Sequence, residues 1–302
     1  MIPFRIRIPA LFCLLGLACS IAAAQPAAPA DTLSRIRETR SITLGVREAA
    51  RPFSYLDAGR PVGYSVDLCL AAVEEIRREL KLPELKVQYR TVSGPERVPK
   101  LVAGEIDLEC GSTTNTRARQ AQVDFSYTIF VASMRVLSPK GARVDAVKDL
   151  AGLPVALSKG TTSEKLFNQL GVSEVKMQAQ TFASNDEAFQ ALKDGRVRAF
   201  PQDDSLLLGL AARDGVQDRF ALSGMAFSVE PYAIMLRKGD AALGAVVDRT
   251  LARLYSSGDI NAIYRRWFET PTLQIRQSKL TRDSFVRPNK EAGVAMLLGY
   301  SL

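Results

Sequence analysis

One local pattern occurs twice in this 302-residue chain and restricts the folds open to it: a helix end, a glycine, and then a short strand. Residues 101–108 (LVAGEIDL) and 192–199 (LKDGRVRA) share this order, and a polar loop follows each of them. Strand and helix patterns alternate around both copies. This alternation predicts two α/β lobes with mainly parallel sheets. Because ligands of such sheets bind beyond the carboxyl ends of the strands, the two polar loops predict a polar cleft.

The individual elements follow from apolar spacing and helix caps. The first predicted helix has apolar residues at three- and four-residue steps from Val66 to Leu80. The last begins with a capping box of Ser184 and Glu187, and Gly171 is expected to end the helix before it. The predicted strands are residues 41–46, 85–92, 106–110, 154–157, 175–179 and 197–200, and the predicted helices are residues 65–80, 98–103, 162–170 and 184–194.

The beginning of the chain is typical of an exported protein. Two arginines precede an apolar run over residues 8–24 that ends in three alanines, which predicts a signal peptide over residues 1–24. Cys19 offers a lipoprotein as the less favoured alternative, since Gly16 stands where lipoprotein signals usually have a large aliphatic residue. Residues 25–31 are rich in Pro and Ala and form a linker. No later stretch approaches ~18 apolar residues, so we expect a soluble mature protein.

Composition excludes several classes of function. The chain has no histidine, which rules out His-based catalytic triads and His-ligated metal sites. Its four cysteines include no CxxC pair, so a zinc ribbon or a thioredoxin-type centre is excluded. The net charge of +8 is scattered and gives no nucleic-acid stripe. Cys69 and Cys110 remain after cleavage, and they form either a disulfide or two buried thiols.

Several polar residues have the chemistry of an anion site. Thr161 and Glu164 form a capping box at a helix start, where free N–H groups attract a carboxylate, although ordinary capping explains the same residues. Arg119 lies one helical turn beyond the hydroxyl-rich loop 111–115 and either clamps a carboxylate with it or is solvated. Arg47 follows the first strand and allows the same two interpretations. Asp203 either pairs with an ammonium group or caps a helix. No cofactor motif and no catalytic set is present.

Read together, these stretches resemble the glutamate/aspartate-binding proteins of amino-acid ABC importers, within the type II periplasmic binding proteins. The likeness runs from about Asp31 to Phe268. The segments ECGSTTN at residues 109–115 and GTTSE at residues 160–164 occur in the family's order and are specific together. The other matching stretches are GVRE at 45–48, PFSY at 52–55, GYSVD at 63–67, the pair Asp203 and Asp204, and YAIMLRK at 232–238.

The resemblance implies a two-lobed periplasmic fold with the ligand in the cleft. The chain is expected to cross between lobes near residues 136–137 and 233–234. Lobe 1 would then comprise residues 32–136 plus 234–302, and lobe 2 residues 137–233. Such proteins capture a ligand by hinge closure and deliver it to an ABC permease in the inner membrane. We therefore expect a monomeric periplasmic binding protein rather than an enzyme, with an amino-acid ligand and without a cofactor or a nucleic-acid partner.

The family's ligand contacts transfer residue by residue. The α-carboxylate would be held by Thr114, Arg119, Thr161 and Thr162. Ser112 and Asp203 would take the α-ammonium group. Arg47 and Arg97 would hold a side-chain carboxylate, and Phe53 would wall the pocket. Three arginines and one aspartate leave an excess of two positive charges, which favours an anionic ligand such as L-glutamate or L-aspartate.

Three departures from the family pattern bear on the ligand. Gly94 replaces a serine that often precedes the second arginine, Asn185 stands at a lining position where a histidine is common, and residues 201–202 are Pro-Gln instead of paired methionines. Each could shift the preference between glutamate and aspartate, or admit glutamine or asparagine. The same fold also occurs in an enzyme, cyclohexadienyl dehydratase, which would need a catalytic acid in the cleft. Both remain alternatives at this level.

Overall fold

A computed structural model describes residues 31–173, 175–295 and 300–301. The signal peptide, the possible lipidation at Cys19 and all of the linker but Asp31 fall outside them. The helices α1 to α10 are Thr32–Thr39, Tyr64–Glu79, Arg97–Val102, Arg117–Gln120, Thr162–Ser173, Asn185–Lys193, Asp204–Arg213, Ala241–Ser257, Asp259–Phe268 and Lys279–Val286. The strands β1 to β16 are Ser41–Val46, Ala49–Ala50, Ser54–Asp57, Arg60–Val62, Lys86–Thr91, Leu108–Glu109, Val123–Phe125, Phe130–Pro139, Pro154–Ser158, Gln178–Phe182, Phe200–Asp203, Phe220–Leu222, Ser228–Tyr232, Met235–Arg237, Val294–Ala295 and Tyr300–Ser301. Within the described ranges, no helix is long and apolar enough to cross a membrane.

The first sheet has the strand order β5-β1-β6-β14-β7. Strand β1 pairs in parallel with β5 and β6, whereas β14 runs antiparallel to its neighbours. Helix α2 buries its apolar stripe, including Val66, Val73 and Ile76, in the core that also holds Ile42 and Leu44 of β1. Cys69 of α2 forms a disulfide with Cys110, which directly follows β6. The disulfide therefore ties α2 to the strand end that leads into the polar loop.

The second sheet is organised around the ten-residue strand β8. Strands β11, β12 and β13 all pair with β8 in antiparallel orientation, while β9 and β10 form a separate parallel pair. Phe130 and Ala132 at the start of β8 lie in the same core as the first sheet. Met134 and Val136, further along, lie in the core beneath β9 and α5. Strands β8 and β13 thus run side by side from one core into the other.

The α/β architecture predicted from the alternation of elements is confirmed, but the expectation of a mainly parallel sheet in each lobe is wrong for the second sheet, because β11, β12 and β13 all pair antiparallel with the long strand β8. Strand β1 has the predicted bounds, but β10 begins at Gln178 and β11 at Phe200, three residues later than expected in each case. Hydrogen bonding of β10 to β9 and of β11 to β8 fixes these bounds. The local alternation of apolar and polar residues does not reveal such pairing. The expected stop at Gly171 is wrong, because α5 continues to Ser173. A glycine inside a helix costs only about 1 kcal/mol relative to alanine, which is too little to end the helix by itself.

Candidate functional site

The predicted site residues lie just beyond strand ends. Arg47 follows β1, and the loop 111–115 follows β6 by one residue. Thr161 follows β9, and Asp203 is the last residue of β11. Parallel strands present their carboxyl ends at the same edge of a sheet, which is where α/β proteins bind ligands.

Arg97, at the start of α3, is 3% exposed and fixed by two hydrogen bonds. One nitrogen donates to Thr113 Oγ1 at 2.8 Å, and another donates to the carbonyl oxygen of Gly160 at 3.0 Å. The Thr113 hydroxyl in turn donates to Glu109 Oε2 at 2.7 Å. Burial lowers the pKa of Arg97, and the negative charge of Glu109 opposes that change. Arg97 is therefore already paired within the protein, through Thr113 and Glu109.

Arg119 reaches the same carbonyl from α4. It donates to Thr114 O at 2.9 Å and to Gly160 O at 3.3 Å. Burial, followed by the positive charge of Arg97, lowers the pKa of Arg119 from 12.5 to about 9. Gly160 thus accepts from two arginines. It also has a positive φ of +76°, and a Cβ there would lie 2.6 Å from the nitrogen of Pro95, so only glycine fits this close approach.

Arg47 differs from the other two arginines. Its backbone N–H donates to Ser54 Oγ at 2.9 Å, but its guanidinium has no hydrogen-bond or ion-pair partner among the described residues. Burial, followed by the positive charge of Arg97, lowers its pKa from 12.5 to about 10, while Glu109 opposes this. Arg47 is only partly buried, so an anion can reach its guanidinium. Arg47 is therefore equipped to bind an anion that the protein itself does not supply.

Asp203 is the acidic counterpart of these arginines. The phenol of Tyr232 donates to its Oδ2 atom, whereas Oδ1 is buried without a hydrogen-bond partner in the described chain. Burial, and next the negative charge of Glu230, raise the pKa of Asp203 well above 3.8. Oδ1 is positioned to accept a hydrogen bond from a cationic donor, and such a donor would favour the ionised form.

The beginning of α5 has a different arrangement from the one expected. Thr161 donates to Ser158 O at 2.7 Å and accepts from the backbone N–H of Glu164 at 2.9 Å, so its side chain performs ordinary capping. Thr162 donates to Glu230 Oε2 at 2.9 Å. The backbone N–H groups of Thr162 and Ser163 have no acceptor within the described chain. Those N–H groups, rather than the threonine hydroxyls, are available to an anion.

The other predicted residues lie close by, with varied surroundings. Ser112 is buried in the loop after β6. Asn185 accepts from the Gln202 side chain at 2.9 Å, which links two of the positions that depart from the family pattern. Phe53 is wholly buried, with its ring centroid 4.9 Å from that of Tyr232 in an edge-on contact. Phe53 therefore supports the residue that bonds Asp203. The ligand contacts predicted for these three residues stay predictions.

Glu109 and Glu230 were not recognised as site residues from the sequence. Both are completely buried, and they bring the formal charge of the three arginines and three carboxylates into balance. The excess of two positive charges expected from sequence is therefore absent. Glu109 had a recognisable signal, because a carboxylate between Leu108 and Cys110 in a buried strand needs a partner. Glu230 had none, since strand pairing alone places it there.

Comparison with known proteins agrees with this site. A family model described as bacterial extracellular solute-binding proteins, family 3, matches residues 42–270. The L-glutamate/L-aspartate-binding protein of Pseudomonas aeruginosa is 46% identical over 244 residues, covering 80% of each chain. The glutamate/aspartate import solute-binding protein of Escherichia coli (strain K12) is 37% identical over 300 residues, covering 95% of this chain and 99% of that one.

A solved structure extends the comparison to three dimensions. An ancestral amino-acid-binding protein, a precursor of cyclohexadienyl dehydratase, matches with a TM-score of 0.69 at 26% identity, covering 78% of this chain and 99% of that chain. The type II binding-protein fold and the family resemblance predicted from the sequence are thus confirmed. The chain belongs to family 3 of the bacterial extracellular solute-binding proteins.

Proposed function

We propose that this protein captures an acidic amino acid, L-glutamate or L-aspartate, for an ABC importer. The observation that carries the proposal is the partly buried Arg47 guanidinium, which lacks an acceptor among the described residues, whereas Arg97 and Arg119 have theirs. A ligand with a second carboxylate would supply the missing acceptor. An amide ligand would leave that guanidinium with a neutral partner only, which is the weaker hydrogen bond.

The other ligand groups have partners of suitable chemistry. The α-ammonium group would bind the unpartnered Oδ1 of Asp203, with the hydroxyl of Ser112 in loop 111–115 as a second acceptor. The α-carboxylate would bind Arg119 and the free N–H groups at the start of α5. Support for an anionic ligand therefore comes from the local pairing of each group, since the total charge of the cluster is balanced.

Capture rather than chemistry is the proposed mechanism. We place lobe 1 at residues 32–136 plus 234–302 and lobe 2 at residues 137–233; the change of core along β8 comes slightly before the first of these bounds, between Ala132 and Met134. Because β8 and β13 pass between the two cores, rotation about them would open and close the cleft. A ligand that contacts both lobes binds the closed form more tightly and so shifts the population towards it. The closed form would then engage the membrane permease from the periplasm as a monomer, with no reaction catalysed and no nucleic acid bound.

Calorimetric titration of refolded, ligand-stripped protein tests the proposal. The panel comprises L-glutamate, L-aspartate, L-glutamine, L-asparagine and L-leucine. Tight binding of the two acids with weak binding of the amides is expected. Tighter binding of an amide would contradict the role given to Arg47. If none of the five amino acids binds, the proposal that the ligand is an amino acid is wrong.

A same-fold dehydratase is the second candidate. One observation favours it: burial raises the pKa of Asp203 well above 3.8, the direction that a catalytic acid in the cleft would need. Arogenate and prephenate are the substrates to test. Turnover of either by the wild-type protein, lost in Asp203→Asn, would establish the enzyme; we expect none.

A further inference from the structure

The C-terminal part of the chain contacts the polar loop beside the cleft. The family match ends at residue 270, and α10 follows it. Residues 287–295, called here the tail segment, then run past loop 111–115 to the edge of the second sheet. There Val294 pairs with Val229 of β13. The tail segment is therefore an addition to the matched region that touches both the loop and one of the two passing strands.

Asn115 is the residue of the loop that the tail segment holds. It is completely buried, and its side-chain Nδ2 donates to Lys290 O at 2.9 Å. The backbone N–H of Gly293 donates to Asn115 O at 2.9 Å. The remaining polar groups of Asn115 bond Pro231 O at 2.8 Å and the Gln120 side chain at 2.8 Å. Two of its four hydrogen bonds thus join Asn115 to the tail segment, one as donor and one as acceptor.

The neighbouring contacts fix the tail segment itself. Asn289 O accepts from the backbone N–H of Thr128 at 2.9 Å, immediately before β8. The Lys290 ammonium forms an ion pair with Asp248 of α8 at 2.6 Å. Upstream, the Thr281 hydroxyl of α10 accepts from the backbone N–H of Val131 at 3.1 Å. The tail segment is thus anchored at the start of β8, on α8 and along β13.

We propose that the tail segment, acting through Asn115, is a positioning element for loop 111–115 and so sets the affinity for the amino acid. This rests on the proposed function, in which Ser112 of that loop binds the α-ammonium group and Arg119, which donates to Thr114 O, binds the α-carboxylate. A loop whose end is pinned on both sides has less conformational freedom to lose when it binds. If the contacts of Asn115 with the tail segment are removed, the loop loses more conformational entropy when the ligand binds, and the affinity falls.

The first experiment compares two truncations of the mature protein. Ending the chain after Arg287 removes all of the tail segment but that residue, whereas ending it after Ala295 keeps the contacts to Asn115. We expect the shorter chain to bind L-glutamate and L-aspartate about tenfold more weakly, by roughly 1.4 kcal/mol for each, mainly through faster dissociation. The longer chain, which ends after Ala295, should bind both amino acids as tightly as wild type does. Amide exchange of residues 111–116 should be faster in the shorter chain alone.

A pair of point variants covers the case in which the shorter chain does not fold. Asn115→Asp removes the donor to Lys290 O and keeps the side-chain shape. Lys290→Ala removes the ion pair with Asp248 but keeps the backbone carbonyl. Weaker binding in Asn115→Asp with wild-type binding in Lys290→Ala is expected.

The outcomes separate this inference from the proposed function. If wild type binds no amino acid on the panel, the proposed function fails. If wild type binds an acidic amino acid and Asn115→Asp binds it equally tightly, with unchanged exchange in the loop, the positioning role is refuted. A lower melting temperature with unchanged affinity would make the tail segment merely a stabilising addition, which also overturns the inference.

Discussion

The phenol of Tyr232 and the carboxylate of Asp203 are joined by a hydrogen bond that links the end of β13 to the end of β11 within the second sheet. Tyr232 is the last residue of β13, and its ring packs on Phe53 in the aromatic core. The bond occupies one carboxylate oxygen and leaves the other buried without a partner in the described chain. The aromatic core thus orients the group that we expect to meet an ammonium ion.

Stability should fall with rising pH because of Asp203. Its pKa in the folded protein lies well above 3.8, since burial and the charge of Glu230 disfavour the ionised form. The folded state therefore binds this proton more tightly than the unfolded state, and the free energy of unfolding falls as the pH rises from 3.8 through the raised pKa. Asp203→Asn should remove this slope and raise stability at neutral pH by about 1.4 kcal/mol for each unit of raised pKa.

Melting curves of ligand-free protein between about pH 4 and pH 8 measure this effect. Asp218→Asn, at an exposed carboxylate, is the matched control and should keep the wild-type slope. An equal slope in Asp203→Asn would contradict the assignment. Ligand binding should also release a proton in that pH range, because an ammonium partner lowers the pKa of Asp203; titration in buffers of different ionisation enthalpy detects it.

Arg47→Ala should weaken binding of L-glutamate and L-aspartate by roughly a hundredfold, as expected for a charge-assisted pair that closure over the ligand would bury. The melting temperature of ligand-free protein should not fall, because no acceptor among the described residues loses a partner. Calorimetry and melting curves on the same samples separate the two effects. Arg60→Ala, at an exposed arginine of β4, is the control. Unchanged affinity would remove Arg47 from the site.

Gly94→Ala should weaken binding of every ligand. An added Cβ would lie 2.5 Å from the carbonyl oxygen of Lys159, so the loops at residues 93–95 and 159–160 could not approach as closely. We expect affinity to fall by about tenfold or more, while ligand-free stability changes within about 0.5 kcal/mol. Gly141→Ala, where nothing lies within 4 Å of the added atom, should bind as wild type. Equal affinities of the two variants would show that closure does not need this contact.

Loss of the Cys69–Cys110 disulfide should lower the free energy of unfolding by about 3–4 kcal/mol, given the chain length that it closes. Denaturant unfolding of the Cys69→Ala/Cys110→Ala variant measures this against wild type. Adding reductant should lower the stability of wild type and leave the double variant unchanged. A reductant effect on both proteins would assign the loss to another cause.

Local patterns predicted much of the fold and part of the site. Strand β1 and the capped helix α6 carry their signals within a few residues, and both were found. Strand β8 was missed because its partners β11 and β13 lie far along the chain. The approximate crossing at residues 136–137 came from the resemblance alone. In the structure, the change of core along β8 falls between Ala132 and Met134.

The site shows the same limit. Arg47, Ser112 and Asp203 could be placed because each stands at or just beyond a strand that is legible in the sequence. The role of Arg97 depends on Glu109 through Thr113, a chain of contacts that spacing does not reveal. The balance of charge was misjudged for this reason. A buried arginine is informative only when its acceptors are known.

The shared acceptor at Gly160 has a consequence for how this site can diverge. Every amino acid has a main-chain carbonyl group, so no substitution at residue 160 can replace this acceptor with another chemical group. The bonds from Arg97 and Arg119 can be lost only by changing those two donors or by moving the whole loop. A change of ligand specificity is therefore expected at other positions of the cleft, such as Arg47, Gly94 and Asn185. At these positions a single substitution changes the side chain that a ligand would meet.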